Sequence, residues 1–598
     1  MATAELVTEQ FQFLGIDVEK EVLVKCCFSI HVFQGVTLCE EYNVDAETFS
    51  ELWVAFSLTH LNGASPTLEN LDLLEKKEFS KLSASRSNAH VNETSQTSTG
   101  SSLAVYGAPV STSSENDVLS NYMSPSSKRI KKETEQNVPK KELQPATYSP
   151  TVDRSAKFAS RTNQGSVVHS FGDENLLQNI VSRNTITEML DLSISQVPND
   201  DGELYTNCKF GFELLHEKAT TFDNHIRYIS QCIMKKNNIK ESTSVRHKSQ
   251  TEVFVSGRIE CDADARLNAK SVVLQGTWEE SLSQAVAVDL DSVKQYSLFP
   301  GQVVVMRGIN PRGDKFLAQE IFHDASSVVP DHRADMLTSL QGTMTMIVVS
   351  GPYTTSDNLT YEPLKDLIAY INTNKPHVVI MTGPFMDCEH SKIKDNSMAE
   401  TFDSFFNKLI DSLCDLATTS PLTKIYIVSS LRDAFHVNIY PTPAYSSRRK
   451  NQNQAKYNNI NFLPDPCTLK INGIIVGVTS SDVLMDISKE EISQGMGGDK
   501  LARLAGHVLS QQSYYALWPP PAAQPVDAAL WAAHAQLACT PHVLVLPSNF
   551  RYFVKEVNKC VVVNPEHLTK GTGGGTFARL LISGKEETPK IAAQIVRI

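Results

Sequence analysis

His377-Val-Val-Ile-Met-Thr-Gly-Pro-Phe-Met-Asp387 decides how the second half of this chain folds. Val378 to Met381 shows no polar alternation, which marks a strand buried on both faces of a parallel sheet, and Gly383-Pro384 ends it abruptly. Two other stretches have the same build: Met344-Thr-Met-Ile-Val-Val-Ser-Gly-Pro352 and Lys424-Ile-Tyr-Ile-Val-Ser-Ser-Leu-Arg-Asp433. Helical periodicity near 361–372 and 400–416 fills the intervals, so the layout is α/β. Ligands of such sheets sit beyond the carboxyl ends of the strands. A hydrolytic centre with two cations about 3.5–4 Å apart needs Asp, His and Asn side chains there. This chain carries Ser350, Pro352, Pro384, Leu431 and Arg432 instead. Proline offers no donor ligand, and an arginine repels metal ions.

Further strands follow. Leu469-Lys-Ile-Asn-Gly-Ile-Ile-Val476 reads as a hairpin whose Asn472-Gly473 favours a tight primed turn. His542-Val-Leu-Val-Leu546 and Cys560-Val-Val-Val563 add two more. The expected architecture is a layered sandwich, with helices outside two packed sheets. Metallophosphoesterases have this layout and carry Asp-x-His, Gly-Asp-x-x-Asp, Gly-Asn-His, a lone His and Gly-His-x-His at successive strand ends. Here the same places hold Ser350-Gly-Pro352, Gly383-Pro-Phe-Met-Asp387, Ser430-Leu-Arg-Asp433, Pro547-Ser548 and Asn564-Pro-Glu-His567. Asp387, Asp433 and His567 keep a matching residue type, but three side chains do not complete two coordination spheres. They read as capping or surface residues. Thr569-Lys-Gly-Thr-Gly-Gly-Gly-Thr576 is rich enough in glycine to cradle a phosphate, yet no Lys-Ser/Thr follows its last glycine, so a turn is the better account.

Upstream, residues from about 170 to 335 open with a mixed helical stretch and then turn to strands. Short β-branched runs at 252–259, 271–274, 285–289, 302–307 and 316–322 are separated by Gly, Asp and Pro turns, which suits a five-stranded OB barrel. Such barrels bind single strands through aromatic platforms and basic grooves. This one is poor in both. Phe254, Phe316 and Phe322 read as core, and Arg258, Arg307, Arg312 and Lys315 as solvated surface.

Residues 1 to about 80 read as a small helical bundle, with Asp45 capping a segment that repeats Phe49, Leu52, Trp53 and Phe56 at helical spacing. Between 83 and 165 Ser, Thr, Asn and Pro dominate, and too little apolar surface remains to offset ordering entropy, so a disordered tether is expected. Lys128, Arg129, Lys131 and Lys132 form a basic cluster suited to nuclear import. Ser124 and Ser149 each precede a proline and are candidates for proline-directed phosphorylation.

A chain of 598 residues divides into several domains. Its net charge of -12 argues against DNA binding over most of the surface, which needs clustered Lys and Arg, and favours protein partners. The 11 cysteines show no Cys-x-x-Cys spacing, so neither a structural zinc site nor a cofactor is expected, and the absence of a secretory leader points to a reducing compartment. No apolar run reaches the length of a membrane span.

The order of parts resembles the B-subunit family of the DNA polymerase alpha–primase complex. The likeness covers essentially the whole chain and is carried by Leu298-Phe-Pro-Gly-Gln-Val-Val-Val305, Val348-Val-Ser-Gly-Pro-Tyr353, Val379-Ile-Met-Thr-Gly-Pro-Phe-Met-Asp387, Ile427-Val-Ser-Ser-Leu-Arg-Asp433, Leu546-Pro-Ser-Asn-Phe550 and Val563-Asn-Pro-Glu-His-Leu-Thr-Lys-Gly571. Glu566-His567 departs from it, since the family tends to have Gly and a basic residue there. The resemblance implies a multidomain α+β protein: a helical docking bundle (1–82), a tether (83–165), an OB barrel with a preceding helical segment (166–335) and a calcineurin-like phosphoesterase αββα sandwich lacking metal ligands (336–598). It further implies a nuclear, non-catalytic scaffold for the zinc-bearing C-terminal domain of the polymerase alpha catalytic subunit. Primase subunits would join through the complex and other replisome proteins through the bundle, with weak or no nucleic-acid contact and no membrane. Two alternatives stand beside it: a residual metal-dependent phosphodiesterase using Asp387, Asp433 and His567, and an OB-centred single-strand binder.

Overall fold

A computed structural model describes residues 155–182, 194–197, 209–330, 343–395, 398, 400–446, 457–584 and 589–598. The expected bundle, the import cluster Lys128, Arg129, Lys131 and Lys132, and the Ser124 and Ser149 sites lie outside the described residues. In chain order, β1 (Val167–Phe171) and β2 (Ile194–Gln196) precede a long helix, α1 (Leu215–Lys236). Strands β3 (Ser249–Cys261), β4 (Val272–Gln275) and β5 (Ala285–Asp289) come next, then the short β6 (Tyr296–Leu298), β7 (Val303–Asn310) and β8 (Lys315–Phe322). Five of these close a barrel in the order β3-β4-β5-β8-β7.

The sandwich begins with β9 (Thr343–Ser350), α2 (Glu362–Asn374), β10 (Val378–Thr382), α3 (Phe402–Thr419), β11 (Lys424–Val428) and β12 (Ile460–Leu463). The hairpin β13 (Cys467–Ile471) and β14 (Ile474–Val478) turns at Asn472-Gly473, both at positive φ (46° and 83°), as a primed turn requires. Helix α4 (Val483–Glu490), β15 (Ile492–Gln494), α5 (Lys500–Ser510) and α6 (Ala528–His534) follow. Each of these three helices starts at an aspartate (Asp482, Asp499, Asp527) whose carboxylate accepts from a first-turn N–H. The chain finishes through β16 (Val543–Val545), β17 (Phe553–Val557), β18 (Cys560–Asn564), the small hairpin β19 (Thr569–Lys570) and β20 (Gly573–Gly574), then β21 (Thr576–Ser583) and β22 (Lys590–Arg597).

One sheet has the order β1-β22-β21-β9-β10-β11-β12, the other β17-β18-β16-β14-β13-β2. Met346, Val348, Val378 and Ile380 point from the first sheet toward Val476, Val478, Val543 and Val563 of the second. The alternate residues Ile347, Val349, Val379 and Met381 pack outward against Leu364, Leu367 and Ile371 of α2 and Phe406 and Ile410 of α3. Leu544, Leu546 and Val562 do the same toward α4, α5 and α6. Both faces of the central strands are therefore dry, which is why their sequences lack alternation. Each such Val, Leu or Ile contributes roughly 1.5–3 kcal/mol.

The expected boundary at 166 is corrected at two places. β1 and β2, grouped by sequence with the barrel, are edge strands of the two sandwich sheets: β1 pairs with β22 and β2 with β13. The expected tether also ends earlier, because Phe158 is buried in the sandwich core and Ser155 Oγ donates to Thr572 O at 3.1 Å. The partner of β2 lies more than 270 residues away, and those of β1 and Ser155 more than 400, and no local pattern announces them.

The barrel is fixed to the sandwich by buried polar contacts within one compact unit spanning 112–598. The Gln511 side chain accepts from Val303 N (2.8 Å) and donates to Val303 O and His323 O (both 3.1 Å), pairing with β7 as a strand would. Ser297 of β6 donates to Glu491 and lies 2.8 Å from His507 Nε2, while Arg503 Nε donates to Glu491 at 2.8 Å. Against the opposing pull of burial, hydrogen bonds from His507 and Arg503 hold Glu491 well below the usual carboxylate range. Helix α1 lies across the same joint, with Ile229 and Ile233 against Val303 and Val305 and the Phe222 ring 4.5 Å from that of Trp518.

Candidate functional site

The strand-end crevice has a volume of about 170 Å³ and is lined by Ser350, Pro384, Arg432, His567, Asn549 and their neighbours. Its floor is backbone. A Cβ added at Gly351 would lie 2.0 Å from Pro384 O, so the loops after β9 and β10 meet only because glycine stands there. At Gly383 an added Cβ would come within 2.6 Å of Asp433 Oδ2, which leaves no room for a larger residue.

Both retained carboxylates, and one nitrogen of the retained histidine, are bonded within the chain. Asp433 Oδ1 accepts from the N–H groups of Phe385 (2.7 Å) and Met386 (2.6 Å), and Oδ2 accepts from the Tyr445 hydroxyl. Burial pushes this carboxyl up to about 7, against the pull of those hydrogen bonds. Asp387 Oδ2 accepts from Arg432 at 2.6 Å, and backbone bonds Cys388 N to Arg432 O and Ala434 N to Met386 O lock the two loops together. His567 Nδ1 donates to Gly351 O at 2.7 Å, and burial, followed by the charge of Arg432, lowers its pKa to about 4. Its Nε2 is buried without a hydrogen-bond partner. The structure thus places His567 on the crevice wall, while Asp387 and Asp433 are buried behind the Arg432 and Gly383 that line it. Both carboxylates are engaged, Asp387 by the Arg432 guanidinium and Asp433 by backbone N–H groups and Tyr445.

Among the described residues, no group of three or more His, Cys, Asp or Glu side chains converges to hold a metal ion. The loop after β14 also lines the crevice with Ser480, Ser481 and Asp482. Sequence pattern does not reveal this loop, because β14 reads as merely the return strand of a hairpin. Its parallel pairing with β16 is what aims its carboxyl end at the site. Asp482 is itself engaged, accepting from Asn549 N at 2.8 Å and from Met485 N at 3.1 Å.

The aromatic residues of the barrel strands, and three of the four basic residues expected on its surface, are engaged within the chain. Phe316 is fully buried, and Phe254 and Phe322 pack together under α1. Arg258 pairs with Glu260, Arg307 with Glu252 and Glu320, and Lys315 with Asp289. Beside His567 in the chain, Glu566 adopts φ 66°, a conformation that favours glycine. Its buried side chain accepts from Thr576 Oγ1 (3.2 Å) and pairs with Lys570.

Comparison with known proteins gives a consistent picture. The family described as the DNA polymerase alpha/epsilon B-subunit matches residues 346–555, and the OB domain of the DNA polymerase alpha B-subunit matches 219–324. The N-terminal domain described for the same B-subunit matches residues 5–81. The DNA polymerase alpha B-subunit of Mus musculus is 32% identical over 100% of both chains. The Drosophila melanogaster protein of the same name is 30% identical over 99% of this chain and 100% of its own length. That of Schizosaccharomyces pombe is 30% identical over 64% of this chain and 68% of its own. No helix among the described residues is long and apolar enough to cross a membrane.

Proposed function

The chain belongs to the B-subunit family of DNA polymerase alpha and is an accessory subunit of the polymerase alpha–primase complex in DNA replication; from that premise we propose that it performs no chemistry and acts as a scaffold. The carrying observation is the self-occupied crevice. Arg432 neutralises Asp387, and both oxygens of Asp433 are taken by donors of the chain itself. A two-metal site needs those carboxylates free, so the sandwich reads as a phosphoesterase fold whose catalytic layer has become structural.

The stiff joint between barrel and sandwich supports the finer reading, a platform for the zinc-bearing C-terminal domain of the catalytic subunit. A platform must hold its two halves in a fixed relation, and the Gln511 and Glu491 contacts supply that. Primase would join through the complex, and residues 1–82 would recruit other replisome proteins. Import through Lys128, Arg129, Lys131 and Lys132 would bring the protein to the nucleus. Co-purification tests this directly: the full chain should elute as one stoichiometric complex with the polymerase C-terminal domain, and separate elution overturns the scaffold reading. In parallel, manganese-dependent phosphodiester hydrolysis that disappears in Asp387→Ala would restore an enzymatic role.

A further inference from the structure

We draw no further inference here: the strongest candidate, the exposed apolar patch of Phe212, Leu214 and Leu215 at the N-terminal end of α1, is an open face, and nothing in the structure shows what covers it.

Discussion

Two buried charged clusters in this protein have opposite reach. In the crevice, Asp387, Arg432 and Asp433 tie neighbouring loops together, across 45 to 48 residues of chain. At the joint, Ser297, Glu491, Arg503 and His507 tie the barrel to the sandwich, across 194 to 210 residues for the contacts of Ser297. The first cluster lies at the carboxyl ends of the central strands, and the second lies between barrel and sandwich. Their members differ in exposure: the Glu491 and His507 side chains are both 2% exposed, whereas the Arg432 side chain is 38% exposed.

The comparison breaks most sharply at Glu491. Glu491→Ala leaves Arg503 and His507 without their carboxylate in a dry site, and a loss of about 3–5 kcal/mol is expected in urea unfolding. A loss under about 1 kcal/mol would show that the seam is not what holds the barrel. The next effect is on pH dependence. His567 has a folded pKa of about 4, below the roughly 6.5 of an unfolded histidine, so its stabilising contribution is complete above pH 6.5 and is lost as pH falls toward 4. His567→Gln should remove up to about 3 kcal/mol of that acid slope. Part of the slope should remain, because burial also lowers His225, to about 3.

A smaller effect follows at Asp433. Asp433→Asn keeps an acceptor for the Phe385 and Met386 N–H groups but turns an amide toward Tyr445, and about 1–3 kcal/mol should be lost in thermal or urea melts. Arg432→Ala should cost within about 1 kcal/mol, because its pair with Asp387 is partly solvated. If Arg432→Ala proved as damaging as Glu491→Ala, the contrast between the two clusters would collapse.

The central strands were legible because parallel strands covered on both faces are written as unbroken apolar runs, and Val378 to Met381 is one. The barrel strands and the Asn472-Gly473 turn were legible for similar local reasons. The edge strands were not. β1 alternates between half-buried and exposed residues, and the sandwich strand that pairs with it lies at the other end of the chain. The crevice was legible in part: the strand-end runs pointed to the place that Pro384 and Arg432 line. What the sequence did not disclose was direction. Asp433 keeps a ligand's residue type while its oxygens turn inward to backbone donors, and only the close approach at Gly383 shows why.

The pairing of β1 with β22 has a consequence in time. Val167 waits for Val596, 596 − 167 = 429 residues later, before its strand has a neighbour. At about 5–20 residues per second on the ribosome, that wait is roughly 20–90 s. The barrel, whose strands lie within residues 249–322, has all its partners long before then. During synthesis the barrel is therefore complete while β21 and β22 are still unmade and β9, a central strand, has one open edge. At the same rate that edge waits roughly 10–50 s for β21, and truncation before residue 576 leaves it open for good.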